Sequence, residues 1–229
     1  MAIDCIRVAR IAGFLLSSVL TVVAFALATQ NTVSVYTLHA TNMTHVTTRY
    51  ISQFDVTYIP SIILLISSAC QAIQLYLSTE SAKHVRQADW MLTVPIMMAL
   101  IGTLSGTRDI WMICSHAFIS MAVITSGILM DAIDGVLCWL AFAMGCMLML
   151  FSWTSVIWHL SRTTAPDEIL VVVIIQLLLF TSYPATALIC RIKRARLEKE
   201  ELAYNILGTI TKSLLALIIV FGVKGTAGR

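Results

Sequence analysis

The stretch EELAYNILGTITKSLLALIIVFG, residues 200–222, decides how the chain is read. It is long and apolar enough for a membrane-crossing helix, yet it carries Lys212 near its middle. An unpaired ammonium is costly at bilayer depth, so a lysine there marks a functional site that needs a partner. Tyr204, Gly208 and Lys212 recur every four residues and form one stripe on that helix.

The rest of the chain has the same character. Of 229 residues 59% are hydrophobic and only 12% charged, and the mean hydropathy is +0.88. These values describe a polytopic membrane protein, not a soluble globular one. A bilayer-spanning helix takes about 20 apolar residues, so seven spans fill this length and leave little for a soluble domain. The expected fold is therefore an all-α, seven-transmembrane-helix bundle, one domain over residues 1–229. A net charge of +3 forms no basic surface, and no phosphate-cradling glycine loop is present, so nucleic-acid binding is set aside. The six cysteines are scattered singly, without CxxC or Cys/His metal spacing, and read as free packed thiols.

Taken in order, helix A is expected over about 7–28. Its apolar run has no clear cleavage site, which favours a retained span over a signal peptide. The Thr-rich segment 29–55 alternates in NTVSVYTLHA and THVTTRYI, a period that suits two short strands in a structured A-B loop. That loop holds the glycosylation sequon Asn42-Met43-Thr44. Helix B follows over about 56–77, with Pro60 tolerated in its first turn, and STESAKH connects it to helix C at about 85–104. Helices D, E, F and G are expected near 109–130, 133–160, 168–190 and 202–223. Lys and Arg number eight beside the N-terminal, B-C, D-E and F-G segments (Arg7, Arg10, Lys83, Arg191, Lys193, Arg194, Arg196, Lys199). The other side has five (Arg49, Arg108, Arg162, Lys224, Arg229). The positive-inside rule then places the N-terminus in the cytoplasm and the C-terminus outside. The sequon agrees with that orientation.

Among the acidic residues, Asp89 alone lies inside a span on a face with other functional-looking groups. The others, Glu201 included, fall in loops or at expected helix ends. Arg86, Asp89, Trp90 and Thr93 share one face of helix C. A lysine opposite a carboxylate has three meanings: a structural salt bridge, a proton relay, or an amine converted to a Schiff base with a carbonyl ligand.

The surrounding motifs favour the third. In VRQADWMLTVPIMMALIG, Arg86, Asp89, Trp90, Thr93 and Pro95 fall where microbial rhodopsins carry arginine, counterion, tryptophan, threonine and proline. In LLLFTSYPATA, Phe180, Tyr183 and Pro184 resemble the aromatic-x-x-Tyr-Pro element of that superfamily, and helix G supplies the lysine in ITKS. RIAGF (10–14), ALIGTLSGTRDI (99–110) and the 200–222 stretch are similar to heliorhodopsins, a branch with inverted orientation and a structured A-B loop. The chain departs from that branch in using Asp89 where glutamate is usual, and in having Gly208 where a serine or a second aspartate stands.

The resemblance implies all-trans retinal bound to Lys212 as a protonated Schiff base with Asp89 as counterion. Arg86 is then expected to keep Asp89 ionised, and Thr93 to hydrogen-bond its carboxylate. Trp90, Phe180 and Tyr183, with Gly127, Trp139 and Phe142 from helices D and E and Gly208 from helix G, are expected around the chromophore. Met91, Met97 and Met98 read as core filler. Leu100 stands where outward proton pumps place a carboxylic donor, so light sensing is the first expectation, passed to a signalling partner. Light-gated ion or proton transport is the alternative, with Gln71, Gln74 and Gln176 able to line a wet path or simply to bond between helices. An enzyme is not expected: His116 and His159, near helix ends, have no nucleophile or metal-ligand partner at useful spacing. Besides the lipid bilayer, the resemblance implies a homodimer.

Overall fold

The computed structural model describes residues 2–30, 35–41, 48–55, 58–163, 167–193 and 196–222. Seven helices follow one another: α1 (Ala2–Gln30), α2 (Ile59–Leu75), α3 (Thr79–Leu104), α4 (Ile110–Ala132), α5 (Val136–Arg162), α6 (Asp167–Ile192) and α7 (Leu197–Gly222). Six are long and apolar enough to cross a membrane. The seventh, α2, has 17 residues, about 25 Å of helix, which lies at the short limit for a span. Between α1 and α2, β1 (Val35–Thr41) and β2 (Thr48–Asp55) pair antiparallel, with a register shift between Leu38 and His39. The sequon at 42–44 lies outside the described residues.

Local chemistry sets the helix ends. Pro60 occupies the first turn of α2, where its missing N–H costs nothing. The segment STESAKH is not a connection: Ser78 caps α3 by accepting from the Ser81 amide, and α3 begins at Thr79 with Glu80 favourably placed against the helix dipole. At the other end of α3, Gly106 takes φ +92° and the Thr107 amide returns to the Gly102 carbonyl, a left-handed C-terminal cap. A Cβ at Gly106 would stand 2.3 Å from Thr163 Cγ2, so this turn also lets the end of α5 close over it. Asp109 then caps α4 through the Trp111 amide.

The bundle has two unlike halves. At the end from which the hairpin emerges, Ile63, Met97, Met98, Leu100, Ile101, Leu104, Trp153, Val156, Val172, Leu215 and Ile219 form one continuous apolar core. This we call the hairpin half. At the end where α1 starts, the N-terminal half, Met130, Cys138 and Ala141 form a small apolar cluster between α4 and α5, while the contacts among α1, α2 and α7 are polar. Ser18 and Ser68 hydroxyls meet at 2.8 Å, Ser17 donates to Gln71 Oε1, and Gln71 Nε2 donates to Thr209 Oγ1 at 3.1 Å. Gly13 makes room for this seam, because a Cβ there would stand 2.9 Å from Thr209 Oγ1. Arg10 donates to the Gln74 carbonyl at 2.9 Å and so closes the C-terminus of α2.

Candidate functional site

Lys212 lies midway along α7 and is buried. Its Nζ is 2.5 Å from Asp89 Oδ2 on α3 and 2.5 Å from Ser67 Oγ on α2. Ser67 in turn donates to Asp89 Oδ1 at 2.9 Å, which closes a triangle of ammonium, hydroxyl and carboxylate. Two opposite charges removed from water are tolerable only with such added hydrogen bonds. The sequence pairing of Lys212 with Asp89 is therefore present as a contact. Ser67 was not anticipated, because one serine in an apolar helix gives no periodic signal.

Two expected contacts of Asp89 are replaced by others. Thr93 donates to the Asp89 backbone carbonyl at 2.7 Å, the i−4 bond a helical threonine makes readily, and not to the carboxylate. Arg86 turns away from Asp89 toward α7: its Nη2 lies 2.6 Å and its Nε 3.1 Å from Glu201 Oε1. Glu201 was read as a helix-end acid, yet it is 0% exposed. The reason is that α7 begins at Leu197, five residues before the expected start, so Glu201 sits in its second turn, facing α3. The Arg86 guanidinium also lies 4.5 Å from the ring centroids of both Trp90 and Tyr204, which cover its faces.

A cavity of about 160 Å³ opens beside this pair between α3, α4, α5, α6 and α7, and Lys212 forms part of its wall. Trp90, Phe142, Phe180, Tyr183 and Gly127 line it. Trp90 meets Tyr183 edge-on at 5.1 Å and Tyr204 at 5.3 Å, while Phe180 meets Trp153 at 5.7 Å. Gly208 faces the same aromatics: a Cβ there would stand 3.5 Å from Trp90 Nε1 and 3.7 Å from the Tyr183 hydroxyl. Trp139 is not a wall residue. It is 45% exposed on the outside of α5 and packs on Phe142 from behind. Trp153, two helical turns beyond Gly145 on the inner face of α5, contributes the wall that Trp139 was expected to give. Met97 and Met98 are core residues as read, and they also reach the cavity.

Of the polar residues considered for a wet path, Gln71 joins α1, α2 and α7 and Gln176 Nε2 donates to the Thr211 carbonyl, whereas Gln74 is buried with its Oε1 unpaired. His116 is buried, with Nδ1 3.1 Å from Ser152 Oγ, so it has a partner that spacing alone did not give. Among the described residues no cluster of three or more His, Cys, Asp or Glu can hold a metal ion.

Against known proteins, the model of the bacteriorhodopsin-like protein family matches residues 16–226. The chain belongs to that family. Within it, solved structures of similar shape cover nearly the whole chain. The light-driven proton pump LR (Mac) from Leptosphaeria maculans has a TM-score of 0.76 at 14% identity, covering 97% of each chain. The proton-pumping rhodopsin AR2 from Acetabularia acetabulum has a TM-score of 0.76 at 14% identity, covering 99% of this chain and 97% of its own. Cyanorhodopsin N4075R from Tolypothrix sp. NIES-4075 has a TM-score of 0.75 at 16% identity, covering 95% and 93%. At such identities these structures speak for the rhodopsin fold. No curated protein sequence matches the chain. The heliorhodopsin branch expected from the sequence is not among the similar structures described here.

Proposed function

We propose that the chain binds all-trans retinal covalently through Lys212 and uses light to move protons across a membrane. The observation that carries this is the Lys212–Asp89 pair, 2.5 Å apart, with Lys212 in the wall of an aromatic cavity. The residues present fit such a chromophore. A Cβ on Gly127 would meet nothing within 4 Å, so the cavity lies open against that helix, and its wall is largely aromatic and aliphatic. Retinal supplies the light-absorbing polyene and its photoisomerisation. Asp89 supplies the counter-charge beside the Lys212 nitrogen, and Ser67 holds that carboxylate in place. Trp90, Phe142, Trp153, Phe180 and Tyr183 position the polyene and exclude water, and Gly208 lies beside Trp90 and Tyr183, where an added Cβ would make ordinary contact with both.

Transport is favoured over sensing, in contrast to the first expectation from sequence, by the second buried pair. Toward the N-terminal face from the Lys212 site lies the buried Glu201 carboxylate, held by the permanently charged Arg86 guanidinium, and it is a group that can take up a proton leaving Asp89. The printed descriptions of the similar LR (Mac) and AR2 structures, as proton pumps, point the same way. A light sensor of the heliorhodopsin kind is the second reading. It is favoured by the apolar hairpin half, with Leu100 in its core and no carboxylate beside Gly208. With the N-terminus cytoplasmic, as the Lys and Arg distribution favours, the Arg86–Glu201 path opens inward.

Illuminating retinal-loaded vesicles tests the choice. A pump builds a pH gradient that a protonophore abolishes. A channel only relaxes an imposed gradient, with a photocurrent that reverses at the proton equilibrium potential. A pigment that produces neither leaves the sensor reading in place and contradicts transport.

A further inference from the structure

The apolar core of the hairpin half is interrupted by one buried imidazole. His116, in the second turn of α4, is 1% exposed. Its Nδ1 lies 3.1 Å from Ser152 Oγ on α5, and its Nε2 has no protein partner. Leaving a buried polar atom unpaired is costly, and such an atom in a native core calls for a water or a proton-handling role.

The neighbours are arranged around the ring. On α3, Gly102 provides the space, since a Cβ there would stand 3.2 Å from His116 Cδ2 and 4.0 Å from Nε2. The Nε2 edge thus lies along α3, which presents no titratable group to it. On α5, Ser152 takes the Nδ1 edge and itself lines the cavity that Lys212 lines, as does Ser120 one turn further along α4. His159, also on α5, is the titratable side chain whose charge reaches His116. Among the described buried residues, His116 is the only one in the hairpin half with an imidazole, carboxylate, ammonium or guanidinium group. Its two nitrogens therefore have different surroundings: one is coupled by a hydroxyl to the Lys212 cavity and the other is buried without a partner.

We infer that His116 is the proton-exchanging residue on the hairpin side of the Lys212 site, opposite the Arg86–Glu201 path. In this role the resting ring is the neutral Nδ1–H tautomer, its Nδ1–H donating to Ser152 Oγ and its Nε2 lone pair free. A hydronium arriving from the hairpin face protonates Nε2 and is left as water. The imidazolium N–H bond at Nδ1 then breaks, its proton passing to Ser152 Oγ while the serine hydroxyl proton moves to a water in the cavity, and reorientation of the remaining neutral ring restores the Nδ1–H form. No electron is transferred, and one proton crosses from that face to the cavity. Leu100 needs no carboxylate if His116 does this work. The inference rests on the retinal reading.

The test combines a measurement on retinal-free protein with one on the pigment. In lipid-embedded apoprotein labelled with ¹⁵N-histidine, a resonance that is absent from His116→Gln should pass from neutral to cationic imidazole as pH falls. In the pigment, a flash should give imidazole protonation bands in the infrared difference spectrum. Glutamine keeps a polar contact with Ser152 but cannot carry the proton, so return of the proton from the hairpin side should slow by about a hundred-fold in His116→Gln, and added imidazole should restore it. Ser152→Ala, which leaves the ring intact, should slow the same step. A pigment with unchanged kinetics in both variants and a His116 resonance that never titrates overturns the inference alone. Failure of any visible band to form overturns the retinal reading, and this inference with it.

Discussion

Arg86 and Glu201, 115 positions apart in sequence, meet in the N-terminal half of the bundle through a two-nitrogen contact, with Nη2 2.6 Å from Oε1. Neither side chain is more than 4% exposed. The pair ties α3 to α7 below the Lys212–Asp89 contact, so the same two helices are joined twice by opposite charges. Buried pairs of this kind fix an arrangement more than they raise stability, and breaking one leaves an uncompensated charge.

Glu201→Gln is therefore expected to lower stability by about 3–5 kcal/mol, read as a fall in thermal unfolding temperature in lipid. Arg86→Gln combined with Glu201→Gln should recover part of that loss, because no lone charge remains. Unfolding temperatures unchanged in both would show that the contact bears no load.

Asp89→Asn removes the only carboxylate touching Lys212 Nζ among the described residues. The pigment's visible band should then be displaced or lost at neutral pH, since the chromophore nitrogen keeps Ser67 but no counter-charge. An absorption spectrum identical to that of the parent would place the counter-charge elsewhere.

Two tryptophans on α5 separate wall from exterior. Trp153→Ala should shift the absorption maximum and weaken retinal retention, because Trp153 lines the cavity and meets Phe180 at 5.7 Å. Trp139→Ala should leave the spectrum as it is, its ring lying exposed on the outside of α5. Equal spectral effects would contradict the assignment.

Gly13 and Gly208 should answer differently to alanine. At Gly13 the new methyl meets Thr209 Oγ1 at 2.9 Å and the Gln71 amide at 3.2 Å, an overpacking expected to cost about 1–3 kcal/mol in thermal unfolding. At Gly208 its nearest neighbours are at 3.5 and 3.7 Å, ordinary contact, so folding should be kept while the absorption maximum moves.

Much of this was legible in the sequence. Seven apolar runs gave seven helices, and the period-two alternation of 29–55 gave the hairpin. A lysine and an aspartate at mid-span gave the pair that the structure brings into contact. Charge periodicity within one helix cannot say which neighbour a side chain turns to. Arg86 lies one turn from Asp89 along α3 and yet bonds across to α7. Glu201 was hidden because the charged stretch before it reads as a loop, although α7 already begins at Leu197; a Glu four residues inside a helix start, with Tyr204 and Gly208 continuing its inner face, was the available signal. Trp139 and Trp153 are fourteen residues apart, close to four helical turns, so periodicity puts both on similar faces and does not tell them apart. His116 and Ser152 lie 36 positions apart, and no sequence spacing joins them.

The most direct measurement is the absorption spectrum of the chain expressed with all-trans retinal, beside that of Lys212→Ala. The account predicts a retinal-dependent visible band in the parent, reducible to a covalent adduct at Lys212 by borohydride, and no such band in a folded Lys212→Ala. A folded parent that never develops the band, or a Lys212→Ala protein that keeps it, would contradict it.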